Sequence, residues 1–183
     1  MPKFLILDKL LLREGIYLVA ERVEEGLTNI RLKGVQIYSD KSRLVSFDTL
    51  KVSLGFLRLR IVGLCEGKPF LVDISPRERL IEARDFTCLE GFQGLSASIS
   101  MKDGLYGNML LKGSPLEELD LTFKGRVFTA RAKAMGFHLV GDGQIVYNPQ
   151  NPLRSAINGQ VSGMGMKLII GGTLEKLEVK AGP

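Results

Sequence analysis

The sequence predicts an all-β protein: a long, curved, mainly antiparallel sheet, built as a taco-like half-barrel or a sandwich, with a short N-terminal helix. Three observations predict it. Apolar residues recur at alternate positions in one segment after another, the period of a strand with one buried face. The clearest cases are Leu57, Leu59 and Ile61 around Arg58 and Arg60, Leu95, Ala97, Ile99 and Met101 around serines, and Leu119, Leu121 and Phe123 around Asp120 and Thr122. Glycine is abundant, with 21 copies scattered between these segments, which suits hairpins and bulges. After Gly15 no segment has the length and period of a crossover helix, which argues against parallel βαβ units.

Taken in order, Phe4, Leu7, Leu10 and Leu11 stand at helical spacing and Gly15 follows as a stop, so Lys3 to Glu14 is expected to be a short amphipathic helix. Its expected role is to plug one end of the sheet; a membrane-surface role is the sharper alternative. Ile16 to Val23 reads as a strand, turned by Glu24-Glu25-Gly26. Leu27 to Ser39 carries Ile30 and Leu32, then Val35 and Ile37, and this change of parity calls for a β-bulge at Gly34. Ser39-Asp40-Lys41-Ser42 is a turn, and Leu44 to Leu54 is a strand ended by Gly55. Leu57 to Ile61 and Phe70 to Ile74 are strands, Ser75 to Arg79 a turn, and Leu80 to Cys88 an extended segment of weak pattern.

Gly91 and Gly94 open a second series. Leu95 to Met101 and Leu105 to Lys112 flank the turn Lys102-Asp103-Gly104. Gly113-Ser114-Pro115 leads into Leu119 to Phe123, and Arg126 to Ala134 continues extended. Phe137 to Val140 is expected to pair with Gln144 to Tyr147 across a turn at Gly141-Asp142-Gly143. Asn148 to Pro152 is a loop, two strands fill Leu153 to Ile170, and a last strand covers Leu174 to Lys180. Turn counting gives about 12 to 14 strands, in a single elongated domain over residues 1–183. A weak internal repeat relates 113–125 to 172–182, each with a small turn residue, then Leu, and later Leu, an acid and an aliphatic residue.

The formal net charge is +5, but Lys and Arg are spread at alternate strand positions, with no basic run and no aromatic RNA-binding motif. Solvated strand faces account for this pattern, with an anionic membrane surface as the alternative and no nucleic acid implied. No stretch reaches the roughly 18 apolar residues of a membrane span. Met1 to Asp8 is too short and too soon charged for a signal peptide. Two expectations follow: a cytosolic protein, or a chain that begins after a removed anchor.

Cys65 and Cys88 each sit beside a Glu-Gly turn signal, and a disulfide between them would suit an oxidising compartment. Two buried free thiols are the slightly favoured expectation. Two cysteines with the lone His138 do not make a zinc set, and no cofactor is implied. His138 has no nucleophile or orienting group assigned to it by spacing, so it reads as an ordinary strand residue. Asp40, Asp103 and Asp142 are accounted for by turns. The glycine pairs lack the strand-to-helix setting and the Lys-Ser/Thr of a phosphate loop. No enzyme is therefore expected. A one-sided sheet must have its apolar face covered, by a second sheet, by its own curl, or by a lipid or protein partner. Leu57, Leu59, Ile61, Leu119, Leu121 and Phe123 are the candidate lining of an apolar groove that would hold acyl chains.

Several segments carry a resemblance: Leu7-Asp8-Lys9-Leu10-Leu11 leading into a strand, Val35-Gln36-Ile37-Tyr38, and Leu44 to Leu54 with its Leu50-Lys51-Val52-Ser53-Leu54 ending. Phe123-Lys124-Gly125 and Gly172 to Val179 belong to the same set. Over most of its length the chain resembles the type II secretion system protein N family, and more distantly AsmA-like envelope proteins. That resemblance implies a bitopic inner-membrane protein with a periplasmic β-domain, serving protein secretion or envelope lipid handling without catalysis. No transmembrane helix precedes Phe4, so under this reading the chain is a fragment or a member lacking the anchor. The resemblance brings no catalytic or binding residues. The expected function is a cell-envelope β-scaffold acting through protein partners, with a lipid carrier as the alternative.

Overall fold

The structure is a computed structural model and describes residues 3–13, 15–39, 42–113 and 116–183. A helix, α1 (Lys3–Arg13), precedes fourteen strands. They are β1 (Ile16–Glu25), β2 (Asn29–Ser39), β3 (Ser42–Gly55), β4 (Arg58–Cys65), β5 (Lys68–Ile74), β6 (Arg79–Phe86) and β7 (Gly94–Met101). The rest are β8 (Leu105–Gly113), β9 (Leu116–Gly125), β10 (Val127–Ala134), β11 (Phe137–Val146), β12 (Ala156–Gly163), β13 (Met166–Gly172) and β14 (Leu177–Ala181). Within Ile16–Phe86 and within Gly94–Ala181 the strands stand in chain order and pair antiparallel, so the all-β expectation holds. Two compact units divide the chain, Met1–Glu90 with α1 and β1–β6, and Gly91–Pro183 with β7–β14. Neither unit is built from two separate sheets.

In the second unit the pattern read from sequence is the pattern of burial. Leu95, Ala97, Ile99 and Met101 are buried, and so are Leu119, Leu121, Phe123, Phe128, Ala130, Ala132 and Ala134. The pairings set these residues in transverse rows. One row runs Ile99, Gly107, Phe123, Phe128, Gly143, Gly159, Ile170. The Phe123 and Phe128 rings lie 6.1 Å apart, a distance at which tilted aromatic pairs attract. Beyond Phe128 come two glycines, and the reason is space. A Cβ on Gly159 would stand 2.6 Å from Phe128 Cζ and 2.6 Å from the Asp142 carbonyl oxygen. The ring thus covers two neighbouring strands that carry no side chains of their own on this row.

This packing corrects one expectation. Gly141-Asp142-Gly143 is not a turn, and Asp142 has no turn role: β11 runs unbroken from Phe137 to Val146, with Asp142 paired across to Thr129 and Gln160. Both glycines fall on the inner face, where Phe128 and the β12 backbone exclude a Cβ. Asp103 does occupy its turn, where its Oδ1 accepts the Tyr106 hydroxyl at 3.1 Å and raises the phenol above its ordinary value. The last strand starts at Leu177, later than expected, because 173–176 close a turn in which the Lys176 N–H donates to the Thr173 carbonyl oxygen (3.1 Å) and hydroxyl (3.2 Å).

In the first unit the buried apolar positions of β2 are Ile30 and Leu32, then Val35, and those of β3 are Phe47, then Leu50 and Val52. Both strands change parity at the same place. The expected bulge is not at Gly34, since the β1 register is unbroken across it; the register shift lies between Ile37 and Tyr38, against β3. Gly34 instead takes a left-handed φ of +59°, which re-aims the following side chain without adding a residue. Asp85, at φ +48°, does the same before the fully buried Phe86. Phe47, Phe70 and Phe86 form an aromatic cluster with centroids 5.3–5.9 Å apart. Helix α1 does not plug a sheet end: it folds back along β1, the Phe4 N–H donating to Glu25 Oε1 at 3.0 Å. The turn residues Asp40, Lys41, Ser114 and Pro115 lie outside the described residues.

Replacing Gly159 by Ala is expected to cost about 1–3 kcal/mol of stability, the range for overpacking a tight core. Phe128→Ala should cost about 3–5 kcal/mol. Urea denaturation checks both. A double variant that loses the sum of the two single losses would show that the Cβ clash is with backbone rather than with the ring.

Candidate interaction surface

The two cysteines are bonded, against the expectation of free thiols. Cys65 ends β4, and Cys88 lies two residues past the end of β6. The Cα atoms are 6.3 Å apart, and 23 positions separate the residues in sequence. The bond seats the segment 88–90 on the first half of β3. There the Ser46 N–H donates to the Cys88 carbonyl (3.1 Å), the Glu90 N–H donates to the Leu44 carbonyl (2.9 Å), and Arg43 pairs with Glu90 at 3.0 Å. β3 is 14 residues long and β4 covers only its second half, from Thr49 onward. Residues 88–90 thus supply partners to backbone that would otherwise be an open edge.

The six groove candidates divide between the units. Leu119, Leu121 and Phe123 are all buried, so an acyl chain would reach them only by displacing their own packing. Leu59 and Ile61 are half-buried on the inner face of β4. Leu57 is not in a strand. With Phe56 it makes the two-residue turn between β3 and β4, at φ +54° and 66% exposed. A leucine in the left-handed region is uncommon and strained. A shallow depression of about 300 Å³ in the second unit is lined by Lys124, Val127, Thr129, Asp142 and Gln144 around Phe128 and Gly143.

Exposed apolar side chains gather in two places on the first unit. One is the edge. β1 pairs with β2 and, among the described residues, with no other strand, and it exposes Tyr17 (50%) and Val19 (57%) with Val23 beyond them. Leu5, Ile6 and Leu12 of α1 are also exposed, while Phe4, Leu7 and Leu11 are partly covered. The second place is the end of the sheet where β1–β2, β3–β4 and β5–β6 turn. There Leu27 is 95% and Phe56 94% exposed. Sequence reasoning missed both, because an apolar residue next to Gly reads as the start of a strand.

Across β4 and β5, Arg58 grips Asp73 with two bonds, Nε to Oδ1 at 3.0 Å and Nη2 to Oδ2 at 2.6 Å. This bond, more than the Arg58 charge itself, holds the Asp73 carboxyl below its ordinary value of 3.8, with a smaller push from Arg60. His138 is an exposed residue of β11. Among the described residues no group of three His, Cys, Asp or Glu is placed to hold a metal ion. No helix is long and apolar enough to cross a membrane.

Reduction of the disulfide, or the Cys65→Ser/Cys88→Ser variant, is expected to lower stability by about 3 kcal/mol through the freed unfolded chain. Denaturation with and without reductant checks this, and the mass of the alkylated protein checks the bond. Asp73→Asn should destabilise slightly at neutral pH, as expected for a pair whose arginine is exposed. A depressed carboxyl stabilises above its unfolded value. The difference between Asp73→Asn and the natural protein should therefore vanish as pH falls from about 3.8 through the depressed value, which thermal melts across that range read directly.

No known family profile matches the chain, and no solved structure matches it. A curated protein of Aquifex aeolicus (strain VF5), described as an uncharacterized protein, is 35% identical over 184 residues, an alignment spanning 97% of this chain and 84% of the Aquifex protein. At that identity and coverage the chain belongs to the same family as the Aquifex protein.

Proposed function

We propose that this protein is a non-enzymatic β-scaffold of the cell envelope that binds protein partners, in the manner of an accessory periplasmic component of type II secretion. The observation that carries the reading is the edge strand β1. Ten residues long, it shows one set of backbone groups to β2 and keeps the other free of any described strand, while Tyr17 and Val19 stand exposed beside it. Natural proteins blunt such edges with charge, proline or a cover. The second half of β1 carries Glu21, Arg22, Glu24 and Glu25, and α1 lies along the strand; the first half, with Tyr17 and Val19 exposed, suits strand addition, in which a partner's backbone supplies the hydrogen bonds and alternate side chains supply specificity. The disulfide is consistent with the oxidising periplasm. The resemblance to the secretion family adds the assembly to which the scaffold belongs.

A photo-reactive residue placed at Tyr17 or Val19 is expected to crosslink a defined envelope protein in cells, and one placed at Thr129 of β10 is not. Val19→Asp should weaken that crosslink and leave the thermal melt nearly unchanged. Equal labelling from all three sites would sink the reading. Near-stoichiometric phospholipid in the purified protein would replace the scaffold with the carrier.

A further inference from the structure

We infer that the turn end of the first unit is a membrane-docking wedge that inserts Leu27, Phe56 and Leu57 into the interface of an anionic bilayer. The inference is independent of the partner reading. Three turns meet at this end: residues 26–28, Phe56-Leu57, and residues 75–78. The first two are joined by a hydrogen bond from the Leu54 N–H to the Thr28 carbonyl oxygen at 2.8 Å. β4 and β5 bring the third alongside, since Leu59 pairs with Ile74.

Turn tips are where polar residues and glycine are expected. Here the tips carry Leu and Phe at 94–95% exposure and a Leu held at positive φ. No packing in the chain accounts for them. Their setting has two sides. On the inner face the apolar rows run out to the rim through Leu54, Leu59 and Ile74, all at least partly exposed. On the outer face of the same strands stand Arg31, Lys51 and Arg60, with Arg77 in the third turn, all exposed. Of the carboxylates nearby, Glu24 pairs with Arg22 and Asp73 with Arg58, while Glu25 accepts the Phe4 N–H and Glu78 stands beside Arg77 in the third turn, so the cations remain in excess. The end of the sheet is thus an apolar point with a cationic flank.

That combination matches one occupant better than any other. Apolar side chains gain by entering the acyl boundary, and arginine and lysine three to five residues behind them along the strands reach toward lipid phosphates. A protein partner would call for a buried pocket around Phe56 and a matching acidic patch; a bilayer needs neither. The same end also receives the first turn of α1, where Leu5 and Ile6 are exposed, because Phe4 is tied to Glu25 at the end of β1.

The chain has no tryptophan, so Phe56→Trp creates a single reporter. With phosphatidylcholine vesicles containing phosphatidylglycerol, its emission is expected to shift to the blue and to be quenched by brominated acyl chains. Thr129→Trp should show neither change. Phe56→Ser/Leu57→Asn should lower vesicle binding roughly tenfold or more, and replacing Arg31, Lys51 and Arg60 by Gln should lower it roughly fivefold per charge at low salt. Both variants alter exposed side chains, and a thermal melt confirms that they fold. Unchanged Phe56→Trp emission with anionic vesicles at low salt would overturn the inference. So would sedimentation showing that the tip residues drive self-association instead.

Discussion

A strand in a one-layer sheet has two faces, and this chain can bury only one of them. Every strand must therefore bring its apolar set to the same side, and a slip of one residue would turn the whole set to water. In the second unit one row carries Ile99, Phe123, Phe128 and Ile170 across β7 to β13, and the one register shift falls between Lys112 and Gly113, where β8 meets the start of β9. Where parity changes, a local device absorbs it. Gly34 and Asp85 adopt positive φ, and the β2–β3 register shifts between Ile37 and Tyr38. Room is the second half of the same constraint. Gly143 and Gly159 give up their side chains so that one phenyl ring can lie across both strands.

How much of this could be read from the letters depends on which physical signal was strong. Alternation around serines in Leu95 to Met101, and around acids and lysines in Leu119 to Phe123, is visible because one face is wet and the other dry. Glycine is ambiguous in kind. Gly141-Asp142-Gly143 has the composition of a turn, yet its glycines serve as space for a ring that lies on another strand. Only the pairing of β10 with β11 decides between those uses. The disulfide was open for a similar reason: two cysteines 23 residues apart fix no geometry until β4 and the segment after β6 are placed. Of the candidate surface, Leu59 and Ile61 could be seen as an apolar face. Leu27 and Phe56 could not be seen as exposed, since composition carries no information about which apolar residues fail to find cover.

The two surfaces of the first unit divide polar and apolar work in different ways. At the β1 edge the groups facing no described strand are backbone, and exposed side chains stand beside them. At the turn end the backbone is closed by its own hairpins and the exposed groups are side chains alone. One surface offers backbone together with side chains, the other side chains alone. Neither needs a preformed pocket or a titrating group.

The strict chain order of the strands has a consequence for how the molecule is made. Within each unit every strand after the first finds its neighbour in the one that has just preceded it, so most steps close only a short loop and cost little chain entropy. A protein assembled in this way adds strands as they become available, from the first residue to the last, and does not have to wait for a distant segment. The clasp of residues 88–90 on Leu44–Ser46 is the exception. Until it forms, half of β3 presents bare backbone. The first unit is thus complete only when its final residues have arrived, so the last stretch of the unit to be made closes a gap left open in its middle.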